Sequence, residues 1–136
     1  MIDRHPIVLV DGAHNPAGLE RSLAAVRTLA KGRPLVIVFG AMKDKDLPSM
    51  LAQLRAMEVP IIFSAIDWHR AAAPAKLADA FGDAAEAADS SAAAISRARE
   101  RAGANGIVLV CGSLYLVGEA IALSRLRTGA EVAGRR

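Results

Sequence analysis

The sequence predicts a three-layer α/β domain: a mostly parallel sheet with helices on both faces. Three observations predict it. Four short runs are built mainly of Val, Ile, Leu and Phe, without the polar alternation of a half-exposed strand. Helix-length segments join these runs, and parallel strands need connections of about that length. Polar residues gather just beyond the runs rather than within them.

The first run, Pro6–Val10, is a buried strand. Ala17–Ala30 follows as an amphipathic helix, with Asn15 placed to cap it and Pro16 at its first position. Pro34–Phe39 is the second strand, closed by Gly40. Asp46–Met57 carries Leu47, Met50, Leu51 and Leu54 at helical spacing, with Asp46 and Pro48 as start signals. Pro60–Ser64 is the third strand and Pro74–Phe81 a short helix. Gly82–Ala88 is Ala-rich and reads either as a loop or as a short edge strand. Asp89 or Ser90 caps a helix that runs to Ala102 and stops at Gly103 and Asn105-Gly106. Ile107–Cys111 is the fourth strand and Ser113–Leu126 the last helix. One domain is therefore expected over residues 1–127, with a flexible tail over 128–136.

The 136 residues suffice for a single core. Hydrophobic residues make up 53% and aromatics only 4%, so that core must be aliphatic. The net charge of +3 comes without a Lys/Arg block interleaved with aromatics, so it reads as solvated surface and no nucleic-acid partner is expected. The single cysteine, Cys111, excludes an internal disulfide and fits a reducing compartment. No apolar run reaches the ~18 residues of a membrane span. A cytoplasmic protein without a membrane partner is expected.

Three strand ends carry chemistry. Asp11-Gly12-Ala13-His14-Asn15-Pro16 follows the first strand, Gly40-Ala41-Met42-Lys43-Asp44-Lys45-Asp46 the second, and Gly112-Ser113-Leu114-Tyr115 the fourth. Parallel strands put all three on one edge of the sheet, where open α/β folds bind ligands. Taken singly, each residue also has a plainer reading. Asp11 caps a turn or accepts hydrogen bonds from a donor-rich ligand. His14 bonds to backbone or faces the site. Lys43 and Lys45 are surface charge or neutralise a carboxylate or phosphate. Ser113 caps the last helix or belongs to an anion-binding loop. Cys111 is a small buried hydrophobe, and Trp68 and Tyr115 are packing residues.

Familiar signatures are absent. There is no G-x-G-x-x-G and no G-x-x-x-x-G-K-[ST]. Three histidines and one cysteine make no metal-ligand spacing. Cys111–Tyr115 departs from the G-x-S-x-G elbow at both glycines, which counts against a hydrolase built on Ser113, His14 and Asp11.

Three segments, Leu9–Gly18, Val38–Asp46 and Cys111–Glu119, resemble in order and spacing the folylpolyglutamate synthase/dihydrofolate synthase family of Mur-ligase-like amide ligases. The resemblance implies the C-terminal domain of such a ligase, with a Rossmann-like sheet. It implies ATP and Mg2+ as cofactors, the magnesium ligands lying in an N-terminal P-loop domain outside this chain. It further implies that a pterin-substrate carboxylate, on dihydropteroate or a folate, is activated as an acyl phosphate and joined to L-glutamate. Carried over by position, Asp11 and Asn15 contact ATP, and His14 is catalytic, near the incoming glutamate. Lys45, then Lys43, pairs with a glutamate carboxylate, and Ser113 with the N–H groups of Leu114 and Tyr115 holds the glutamate side chain. No metal ligand falls in this chain, and the chain alone is expected to be inactive. The alternative is a free-standing Rossmann-like ligand-binding module without ligase activity.

Overall fold

The runs of β-branched residues pair into one sheet because their side chains can be buried on both faces. The computed structural model describes residues 1–82 and 85–134. The chain order is β1 (Asp3–Arg4), β2 (Ile7–Asp11), α1 (Pro16–Leu29), β3 (Leu35–Phe39), α2 (Leu47–Ala56), β4 (Ile61–Ser64), α3 (Pro74–Phe81), β5 (Ala85–Ala88), α4 (Ser91–Ala102), β6 (Ile107–Cys111) and α5 (Leu114–Gly134). The sheet order is β1-β2-β6-β3-β4-β5. All pairings are parallel except β1 with β2. The three-layer, mostly parallel expectation holds.

Alternate residues of each strand feed two cores. Ile37, Phe39, Ile61, Phe63, Ile107 and Leu109 meet α1, α2 and α3 through Leu19, Leu23, Met50, Leu54 and Leu77. Val36, Val38, Ile62, Val108 and Val110 meet α4 and α5 through Ala94, Ala98, Leu116 and Ala120. The first core carries the bulk, with Phe39 and Phe63 packed edge to face at 6.0 Å between centroids. Each fully buried large apolar side chain contributes about 1.5–3 kcal/mol. The second is thinner because alanines let α4 lie close to the sheet.

The helix starts follow the local chemistry. Asn15 Oδ1 accepts the Gly18 N–H at 2.8 Å, with Pro16 opening α1. Asp46 Oδ1 accepts the Ser49 N–H at 3.4 Å, and Ser90, rather than Asp89, caps α4 through the Ala93 N–H at 3.1 Å. Gly82–Ala88 resolves as an edge strand over Ala85–Ala88, with residues 83 and 84 outside the described part. Two elements differ from expectation. β1 is a strand too short to carry any periodicity. The last helix does not end near Leu126 but continues to Gly134, where a tail was expected from Thr128; the Thr128 hydroxyl donates to the Ser124 carbonyl at 3.1 Å. Among the described residues no helix is long and apolar enough to cross a membrane.

This topology positions the site. β6, the last strand, inserts between β2 and β3, so the loops after β2, β6 and β3 leave three neighbouring strands on the same edge.

Candidate functional site

Two glycines let the loops crowd together. Gly112 has φ +108°, and a Cβ there would stand 2.2 Å from the Gly40 carbonyl oxygen. The ends of β6 and β3 therefore touch backbone to backbone, and the Gly40 N–H donates to the Cys111 carbonyl at 3.3 Å. A Cβ on Gly12 would stand 2.3 Å from Leu114 Cδ2, so the β2–α1 loop lies directly against the start of α5.

Between these loops lies a shallow cavity of about 170 Å³, lined by His14, Met42, Lys45, Gly112, Ser113, Leu114 and Tyr115. Each of the three sequence-selected loops contributes to it. His14 is exposed, and its Nδ1 lies 3.1 Å from the Gly12 carbonyl. That contact requires a proton on Nδ1 and leaves Nε2 for a ligand. Lys45 is half-buried and also lines the cavity.

Ser113 is 3% exposed, and its hydroxyl accepts the Tyr115 N–H at 3.1 Å. It thus fills the capping role, and the Tyr115 N–H expected to meet glutamate is already paired. Among the described residues no hydrogen bond joins Ser113 to His14, so the nucleophile–base pair a hydrolase needs is not formed. Leu114 and Tyr115 are 67% and 50% exposed and form the rim.

Asp11 and Asn15 stand beside the cavity rather than in its wall. Asp11 Oδ1 accepts the Ala13 N–H at 2.9 Å, which stiffens the loop while the residue stays exposed. Asp11 also sits in register with Cys111. Complete burial pushes the Cys111 thiol far above the ordinary cysteine range, and the Asp11 carboxylate adds to the rise. Cys111 is thus an inert core residue, as a small hydrophobe should be. Lys43 is separated from Lys45. A bridge between Met42 and Ala71, with the Lys43 N–H donating to the Arg70 carbonyl at 2.8 Å, turns Lys43 into a different groove.

The fourth loop, after β4, was missed in the sequence. Trp68, 40% exposed, stacks on Tyr115 with ring centroids 4.9 Å apart. Glu119 on α5 holds this loop: Oε2 accepts the Asp67 N–H at 3.0 Å and Oε1 the Ser91 hydroxyl at 2.7 Å. The only sequence signal was an aromatic, Trp68, in a loop that opens onto the ligand-binding edge.

The sequence and the fold have known relatives. The family described as Mur ligase, glutamate ligase domain, matches residues 1–114. The dihydrofolate synthase/folylpolyglutamate synthase of Bacillus subtilis is 32% identical over 124 residues, which are 88% of this chain and 28% of that protein. Escherichia coli FolC in complex with DHPP and ADP superposes with a TM-score of 0.81 at 30% identity, over 91% of this chain and 30% of its own. The Yersinia pestis bifunctional folylpolyglutamate synthase/dihydrofolate synthase with Mn, AMPPNP and L-glutamate bound gives 0.75 at 26% identity, over 88% and 29%. The chain spans less than a third of the length of each of these proteins.

Proposed function

Since this chain belongs to the Mur ligase family, as its glutamate ligase domain, we infer that it is the glutamate- and nucleotide-facing lid of an ATP-dependent folate–glutamate ligase. In the reaction, a pterin-substrate carboxylate oxygen attacks the γ-phosphorus of ATP, forming an acyl phosphate and releasing ADP. The amine of L-glutamate then attacks the acyl carbon, phosphate leaves, and the amine gives up a proton as the amide forms.

The observation that carries this reading is the cavity itself. A cation from one loop, an imidazole from a second and the start of a helix from a third converge on one small space. A dicarboxylate needs such partners: Lys45 pairs with a carboxylate, and the Leu114 N–H at the start of α5 offers a donor. His14 Nε2 lies free to orient the amine or receive its proton. Asp11, exposed beside the cavity, suits ribose hydroxyls, with Asn15 fixing the helix next to it. Trp68, Leu114 and Tyr115 form the rim that closes against the reacting groups and keeps water from the acyl phosphate.

Among the described residues no three His, Cys, Asp or Glu side chains come together as a metal-holding group. We assign the magnesium ion and the P-loop to an N-terminal ATPase domain, for which the greater length of the relatives leaves room. Ligation by this chain alone is not expected, and a cytoplasmic setting suits its buried free thiol.

The test is an amide-resolved NMR titration with L-glutamate, ATP and both. Glutamate should shift residues 12–14, 42–45 and 112–115, and Lys45→Ala should abolish those shifts. Glutamate shifts centred elsewhere, or untouched by Lys45→Ala, would overturn the assignment.

A further inference from the structure

A larger cavity than the one discussed above lies elsewhere on the domain. It is a groove of about 570 Å³ between α2 and α3, within the ~300–1,000 Å³ common for small-molecule sites. Its floor is apolar, formed by Leu47, Leu51, Ala72 and Leu77. Its polar lining is all of one sign: Lys43, Lys76 and Arg55 line it, and no Asp or Glu does. Arg55 is committed to the wall, with Nε and Nη2 donating to the Phe81 and Ala80 carbonyls at 3.0 and 2.6 Å and the guanidinium over the Phe81 ring. Lys43 and Lys76 are exposed, and among the described residues no side-chain hydrogen bond or ion pair occupies either ammonium.

An apolar trough with two uncommitted cations at its edge is complementary to one class of ligand. The geometry points to a second binding site in this groove, for an amphipathic organic anion whose apolar body lies over Leu47, Leu51 and Leu77 and whose carboxylate, sulfonate or phosphate meets Lys43 and Lys76. Charge selects the ligand, because like-signed neighbours without a counter-ion favour an anion and repel a cation. The groove is separate from the 170 Å³ cavity yet backs onto it. Met42 lines that cavity while its bridge partner Ala71 lines the groove, and the Ala72 N–H donates to the Ala41 carbonyl at 2.8 Å. The inference does not depend on the ligase assignment.

The experiment titrates the 136-residue chain with anilinonaphthalene sulfonate and with its uncharged analogue phenylnaphthylamine, following fluorescence and amide shifts. The sulfonate should bind saturably, shift residues 47–51 and 71–77, and bind more tightly than the uncharged probe. Lys43→Glu with Lys76→Glu, both on exposed side chains, should weaken the sulfonate about tenfold or more and leave the uncharged probe within about twofold. Ala80→Trp, which fills the groove from an exposed position, should block both probes. Equal affinity for the two probes, shifts centred on Leu114 and Tyr115, or indifference to the double charge reversal would each overturn the inference.

Discussion

Trp68 and Tyr115 lie face to face, their ring planes 12° from parallel. One follows β4 and the other opens α5, so the stack ties a loop with no residue in the cavity wall to the rim of the 170 Å³ cavity. Glu119, one turn beyond Tyr115, fastens the same loop from below.

Glu119→Ala should therefore act on the site as well as on stability. It leaves the buried Ser91 hydroxyl without its charged acceptor, a loss of about 1.5–3 kcal/mol. Trp68 is the chain's single tryptophan, so its emission reports this loop alone. The variant should show red-shifted emission in the native state and a lower midpoint in urea. Unchanged emission would mean that Glu119 does not hold the stack.

Gly12→Ala and Gly112→Ala should separate packing from backbone geometry. At Gly12 the new methyl meets the far end of Leu114, a side chain that can swing away. Thermal stability should change by less than about 1 kcal/mol, while glutamate binding weakens because a wall of the cavity has moved. At Gly112 the methyl meets the Gly40 carbonyl, and φ +108° is unfavourable for any side chain. That variant should lose about 2–4 kcal/mol. Melting curves of the two, side by side, check the contrast.

In the complete enzyme, if it is the ligase proposed above, Lys45→Ala should raise the glutamate concentration needed for half-maximal rate about tenfold or more, leaving the ATP requirement near normal. Asp11→Ala should do the reverse. Steady-state kinetics with each substrate varied in turn distinguishes the two, and interchanged phenotypes would exchange the roles assigned here.

Cys111 makes stability pH-dependent on the alkaline side. Its thiol is held neutral in the fold but ionises in the unfolded chain near its ordinary value of 9.0. The raised pKa therefore costs nothing below that value, and stability falls above it by up to about 1.4 kcal/mol per pH unit. Urea melts of the native protein and of Cys111→Ala, compared between neutral and strongly alkaline pH, should show the slope only in the former.

Much of this architecture was legible because burial on both faces forces a strand to be apolar throughout, as Val36–Phe39 and Ile107–Val110 are. The three site loops were legible for the same reason: polar residues excluded from such strands collect at their ends. Other features left no local trace. β1 has two residues, and β5 is alanine-rich with Glu86 among them, a pattern shared with helices. The parting of Lys43 from Lys45 depends on a bridge from Met42 to Ala71, a partner far along the chain. The Trp68–Tyr115 stack is likewise tertiary. Ser113 stands just before α5, and its burial commits its hydroxyl to the helix cap.

The sealed position of Cys111 has a practical consequence. A wild-type chain whose one thiol lies inside the sheet is chemically silent toward maleimides while it stays folded. Leu114→Cys, at an exposed rim position, would then carry a dye at a single known point with no cysteine to remove first. Ligand-induced changes around this rim in the 136-residue chain then become open to measurement by the dye's fluorescence.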